Sequence, residues 1–310
     1  MKKDYLDEDV AYLLGLIVGR GEIVIKNSGT IISIHFPFKA EEISGYKQFP
    51  EIIKSIHTNI LRRIHNLLEV SVTIEPVESE LSAYLSIHFH RNPVSLRNLR
   101  NILRNKLSYR EFSVPEEIVN SENINIMREF IKGYADASGN IRESNRDQIG
   151  RHRVYLDVLN KNWWLPTQLC QLLQSKLKVP VSNILWGHPN IRDPQAKGGK
   201  EAWSREHQIR IYADRFKNIG FYVSYKNEVL KKLADENIIK FGGSPSTPCY
   251  PSKKKIRRET AKHEGENADD LPPEIRGHHF NSYWEICAKF GCEKAKRRVK
   301  LLSRQKNIFK

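Results

Sequence analysis

The chain has 310 residues, of which 39% are hydrophobic and 28% charged, a composition that suits a packed globular protein and excludes a disordered one. Four cysteines are too few for a disulfide-held secreted scaffold, and no run of about 18 or more apolar residues occurs that would span a membrane. The formal charge of +15 favours a polyanionic partner, nucleic acid first, with simple solubility as the alternative.

The N-terminus, Met1 to Asp9, is charged and lacks the apolar stretch of a signal peptide, so a soluble cytoplasmic protein (or one of an organellar matrix, in a eukaryote) is expected. Residues 8–20, EDVAYLLGLIVGR, form an apolar helix with small residues at Ala11, Gly15 and Gly19. Residues 22–37 read as a hairpin with its turn at Asn27-Ser28-Gly29. A helical stretch from Tyr46 to Leu68 follows. Val70, Val72 and Ile74, then Ala83, Leu85, Ile87 and Phe89, alternate with polar neighbours at the period of two strands. Pro93 to Lys106 reads as a basic helix.

The same order then recurs. A helix is expected around Met127–Ala137, strands over Gly139–Asn145 and His152–Asn160, and a helix over Leu165–Leu177. Strands near Val181–Trp186 and His207–Tyr212 and helices around Asp214–Ile219 and Lys226–Glu236 complete it. Both halves read helix, two strands, helix, two strands, helix, dividing the chain into 1–110 and 111–241. From Gly242 a Gly/Ser/Pro stretch leads into a basic extension, 242–310, with a last helical piece over Tyr283–Leu302.

The segments that open the halves are LLGLIVGRG, ending Gly19-Arg20-Gly21, and IKGYADASG, ending Asp136-Ala137-Ser138-Gly139. Gly15 and Gly19, and Gly133 and Ala137, are four apart on one helical face, a spacing that lets two helix backbones approach closely. The glycine ending each helix suits a left-handed cap before a strand.

This pattern resembles the LAGLIDADG homing-endonuclease family, over roughly residues 8–240, in its two-repeat single-chain form. The resemblance implies an α+β fold of two pseudo-symmetric αββαββα repeats. Their motif helices would pair at the centre, and their sheets would form a saddle on the duplex. Residues expected on the reading faces are Lys26, His35, Tyr84 and His88 in the first half, and Arg142, Arg151, Arg153, Tyr155, Gln208 and Arg210 in the second. Arginine and glutamine suit bidentate contacts to guanine and adenine edges, whereas ordinary solvated sheet faces are the plain alternative.

In active members of that family the residue before each motif's final glycine is a carboxylate that holds Mg²⁺ at the scissile phosphates. Here Arg20 and Ser138 stand there, and an arginine repels a cation. Glu22 and Asp136 are the nearby acids, read either as relocated ligands or as a strand carboxylate and a cap. Arg20 is instead suited to a phosphate.

Cys249, His263, Cys287 and Cys292 are residue types that suit zinc, but their spacings match no compact ligand pattern, and buried thiols are the alternative. Residues 244–310 carry sixteen Lys and Arg against eight Asp and Glu, with Lys253, Lys254, Arg257, Arg297 and Arg298 as phosphate-contact candidates.

The expectation is therefore a monomeric, sequence-specific double-stranded-DNA binder that has lost cleavage, with no cofactor assigned to it. A protein partner could dock through the extension. The alternatives are an active Mg²⁺-dependent endonuclease using Glu22 and Asp136, and an RNA-binding intron maturase.

Overall fold

The computed structural model describes residues 5–38, 49–143, 150–159, 164–189 and 205–245. The chain is α+β, with two four-stranded antiparallel sheets whose strands lie in the order 21–26, 29–37, 82–89, 71–77 and 139–142, 153–159, 205–212, 181–189.

Helix α1 (Glu8–Arg20) starts at Asp7, whose carboxylate accepts the Val10 N–H as an N-cap. It runs directly into β1 (Gly21–Lys26), which turns through Asn27-Ser28 into β2 (Gly29–Pro37), as the sequence reading anticipated. Next comes the expected helical stretch, continuous over the described residues 49–68: α2 (Phe49–Ile56) and α3 (Arg62–Leu68) joined by one π-helical turn (His57–Leu61). β3 (Ser71–Val77) and β4 (Ser82–Phe89) finish the first sheet. α4 (Val94–Ile102) stops short of the expected Lys106, because Arg104 and Asn105 take left-handed backbone angles.

After the short α5 (Glu116–Val119), α6 (Ile124–Ser138) leads into β5 (Gly139–Arg142). β6 (Arg153–Leu159), α7 (Trp164–Gln171), β7 (Val181–Pro189), β8 (Arg205–Tyr212), α8 (Ala213–Phe216) and α9 (Ser224–Phe241) complete the described chain.

α1 and α6 pack face to face along the centre, and their small residues explain how. A Cβ added at Gly15 would fall inside the Phe130 carbonyl oxygen, and one at Gly133 inside that of Tyr12. Only glycine lets the backbones meet there. The glycines that end these helices work differently from expectation. Gly21 (φ −92°) and Gly139 (φ −95°) are extended, not left-handed, so the chain leaves each helix straight into a strand. What excludes a side chain at Gly21 is crowding: a Cβ would lie 2.7 Å from the Ile17 Cα.

One continuous apolar core joins both sheets to the helix pair. At the N-terminal end of that pair, Arg63 binds Asp9 (2.6 Å) and Glu129 (2.9 Å) and lies over the edge-packed rings of Tyr12 and Tyr222, 4.5 and 4.8 Å from their centroids. This ties α3 to both central helices. No helix among the described residues is long and apolar enough to cross a membrane.

Candidate nucleic-acid interface

Where α1 and α6 end, a compact set of polar side chains gathers. Ser138 donates its hydroxyl to the Gly19 carbonyl (2.9 Å), tying one helix end to the other. Arg20 crosses to the second sheet, where its Nη2 donates to Glu206 Oε1 at 2.9 Å. Its guanidinium lies 5.7 Å over the Tyr109 ring, and its Nε is buried with no hydrogen-bond partner among the described residues. Burial works against the charged form, but the carboxylates of Glu206 and Asp157 outweigh it and hold Arg20 firmly protonated.

Asp157 is the hub of this region. It accepts from Asn140 Nδ2 (2.8 Å) on one oxygen and from Gln208 Nε2 (3.0 Å) on the other, while Tyr134 donates to its backbone carbonyl (2.9 Å). Burial lifts the Tyr134 phenol well above its usual range, so it stays a neutral donor. In the first sheet, His35 stacks on Tyr84 with ring centroids 4.7 Å apart. Burial, helped by the charge of Arg20, lowers its pKa to about 4, so it is neutral near pH 7.

Strand register assigns the remaining predicted residues to faces. Lys26, His35, Tyr84 and His88 share the face of the first sheet turned away from the core, together with Glu22, Thr73 and Ser86. Lys26 is exposed, and His88 Nε2 is 3.1 Å from Thr73 Oγ1. In the second sheet Arg142, Arg153, Tyr155, Gln208 and Arg210 share the corresponding face. That face is more closed than a solvated one, since Tyr155, Gln208, Asn140 and Asp157 are all buried while the arginines are half-exposed.

Arg151 departs from expectation. It precedes β6 instead of belonging to it, its Nε donates to the Gly243 carbonyl (3.0 Å), and its guanidinium covers the Phe241 ring at 4.9 Å. It thus tethers the end of α9.

Of the two candidate acids, Glu22 stands just beyond Gly21 and accepts the Ser108 hydroxyl at 2.7 Å. Asp136 is fully buried, and both its oxygens are engaged: Oδ2 accepts from the Tyr12 hydroxyl (2.8 Å) and the Tyr222 N–H (3.1 Å), and Oδ1 from the Val223 N–H (3.2 Å). Burial raises its pKa, against the pull of nearby Lys226 and these donors. Lys226, also buried, donates to the carbonyls of Asp136 and Gly139 at the end of α6. Among the described residues no group of three or more His, Cys, Asp or Glu is placed to hold a metal ion.

Asp157 and Glu206 were not among the residues singled out from sequence. A lone acid inside the apolar strand Val154–Val158 was a signal available for Asp157; Glu206 carried none. Lys253, Lys254, Arg257, Arg297, Arg298, Cys249, His263, Cys287 and Cys292 lie outside the described residues.

No protein-family model matches the chain. A probable translation initiation factor IF-2 of Methanocaldococcus jannaschii is 26% identical over 216 residues, which is 64% of this chain but 15% of that protein's length. Solved structures of the homing endonuclease I-DmoI are similar to the fold at low identity. The complex with DNA and Mn gives a TM-score of 0.37 at 18% identity, covering 68% of this chain and 94% of that one. The complex with DNA and Ca gives 0.38 at 17%, covering 84% and 100%.

Proposed function

We propose that this protein binds duplex DNA sequence-specifically on a homing-endonuclease-like scaffold and no longer cleaves it. In this reading residues 1–110 and 111–241 are two related halves about a pseudo-twofold axis, their sheets form a saddle on the major groove, and the basic extension adds phosphate contacts. The observation that carries it is the state of the two motif ends: Arg20 is held cationic against Glu206, and the Ser138 hydroxyl is committed to the Gly19 carbonyl. Mg²⁺ requires hard, anionic oxygen ligands, and this donor set does not fit it. Arg20 does suit a phosphate oxygen, with Glu206 as the counter-charge a phosphate would displace.

The second reading, cleavage with relocated acids, draws on Glu22, which sits on the open sheet face one residue past Gly21. The engagement of both Asp136 oxygens works against it.

The test is selection from a randomised duplex library in Mg²⁺ and, separately, in EDTA, with bound and cut fractions sequenced. An enriched site of about two helical turns, uncut in Mg²⁺, is expected. Discrete Mg²⁺-dependent cuts lost in Glu22→Gln or Asp136→Asn would establish the second reading, and preference for structured RNA at matched salt would establish a maturase. In the opposite direction, Arg20→Asp combined with Ser138→Asp is expected to introduce Mg²⁺-dependent nicking at the enriched site.

A further inference from the structure

We infer that the two halves read unlike sequence, with guanine recognition concentrated under the second sheet through Arg142, Arg153 and Arg210. The inference rests on the duplex-DNA reading above.

The second sheet brings these arginines together on one face. Register sets Arg142 directly opposite Arg153, Arg153 opposite Tyr212, and Tyr155 opposite Arg210. Like charges at facing positions weaken a strand pair, so this arrangement favours an electronegative ligand above it. The guanidinium groups are also held by aromatic rings. Arg142 and Arg210 lie 4.5 and 5.4 Å from the Tyr155 centroid, and Arg153 lies 5.0 Å from that of Tyr212. Gln208 accepts from Arg210 Nε (3.1 Å) and is itself anchored on Asp157. Arg153 Nε is buried with no hydrogen-bond partner among the described residues.

Partly buried arginines fixed by aromatic rings over a buried layer are suited to the O6 and N7 acceptors that guanine presents in the major groove. The first sheet is built otherwise. Among its described strand residues, the open face carries no arginine, its one lysine is Lys26, and its aromatic pair is His35 on Tyr84. His35 is neutral near pH 7, so it adds no charge there.

The competing use of the arginines is backbone phosphate, and the experiment separates the two. The protein and its Arg142→Lys, Arg153→Lys and Arg210→Lys variants are run through selection on randomised duplexes, and affinities are then measured on single-position guanine replacements. Lysine keeps the charge and the stem but loses the fork, and thermal unfolding confirms that each variant is folded. Guanines clustered in one half of the site are expected, with discrimination at one or two of those positions falling about ten-fold or more in each variant while the other half is unchanged. Guanines distributed evenly over both halves would overturn the inference and leave duplex binding intact. So would variants that lose no discrimination, whether or not affinity falls uniformly. Absence of any enriched site for the unmodified protein would overturn duplex binding and the inference together.

Discussion

Burial, with the charge of Arg20 nearby, holds His35 in its neutral form. The imidazole sits below the usual 6.5, at about 4, because it is buried and because the guanidinium opposes a second positive charge. The folded state therefore binds fewer protons than the unfolded one, and this contribution to stability is complete above pH 6.5 and lost as pH falls toward 4. Replacing His35 by Gln removes that part of the profile. We expect the unmodified protein to lose on the order of 1 kcal/mol more than His35→Gln between pH 7 and 5, after allowing for the residue's partial exposure to solvent. Urea unfolding at both pH values reads the difference. Equal losses in the two proteins would show that the His35 imidazole is not held neutral by its burial beside Arg20. The residues behind this effect were unevenly legible in the sequence. Arg20 stood out because it replaced an acid at a motif end, but its partner Glu206 is 186 residues away and no spacing rule connects them.

At the scale of elements, the packing of α1 on α6 depends on two glycines that each face a carbonyl of the other helix. Gly15→Ala and Gly133→Ala force the backbones apart, because the obstructing atoms are peptide oxygens and not flexible side-chain ends. A cost of about 2–3 kcal/mol each is expected in chemical unfolding, at the upper end of overpacking effects. A loss below about 0.5 kcal/mol would mean that the helix pair is looser than the structure has it. These helices and the strand pairs were legible because small residues four apart and apolar residues two apart are local periodicities. The buried layer over the second sheet was not. The same alternation describes a solvated face and a face whose Asp157, Asn140 and Gln208 hydrogen-bond to one another, and only the register decides between them. Arg151 shows the same limit, since it keeps the alternation of Arg153 and Tyr155 yet serves the end of α9.

For the whole molecule, the distribution of charge suggests a division of labour. Residues 244–310 hold sixteen Lys and Arg against eight Asp and Glu, so about half of the net +15 lies beyond the two sheets. If the arginines of the second sheet read bases, the extension's part is affinity without sequence information, and the two are separable by salt. Each phosphate contact steepens the fall of log affinity with log salt by about 0.9. Neutralising Lys253, Lys254, Arg257, Arg297 and Arg298 to glutamine in the full chain is therefore expected to flatten that slope by roughly 0.9 for every contact removed. The enriched sequence should stay the same. Titrations between about 50 and 200 mM salt on the selected site and on an unrelated duplex read both quantities. A flatter slope on both duplexes, with their affinity ratio preserved, is the signature of phosphate contacts. An unchanged slope would remove the extension from the DNA interface and turn its charge toward a protein partner, leaving the sheets to account for affinity as well as specificity.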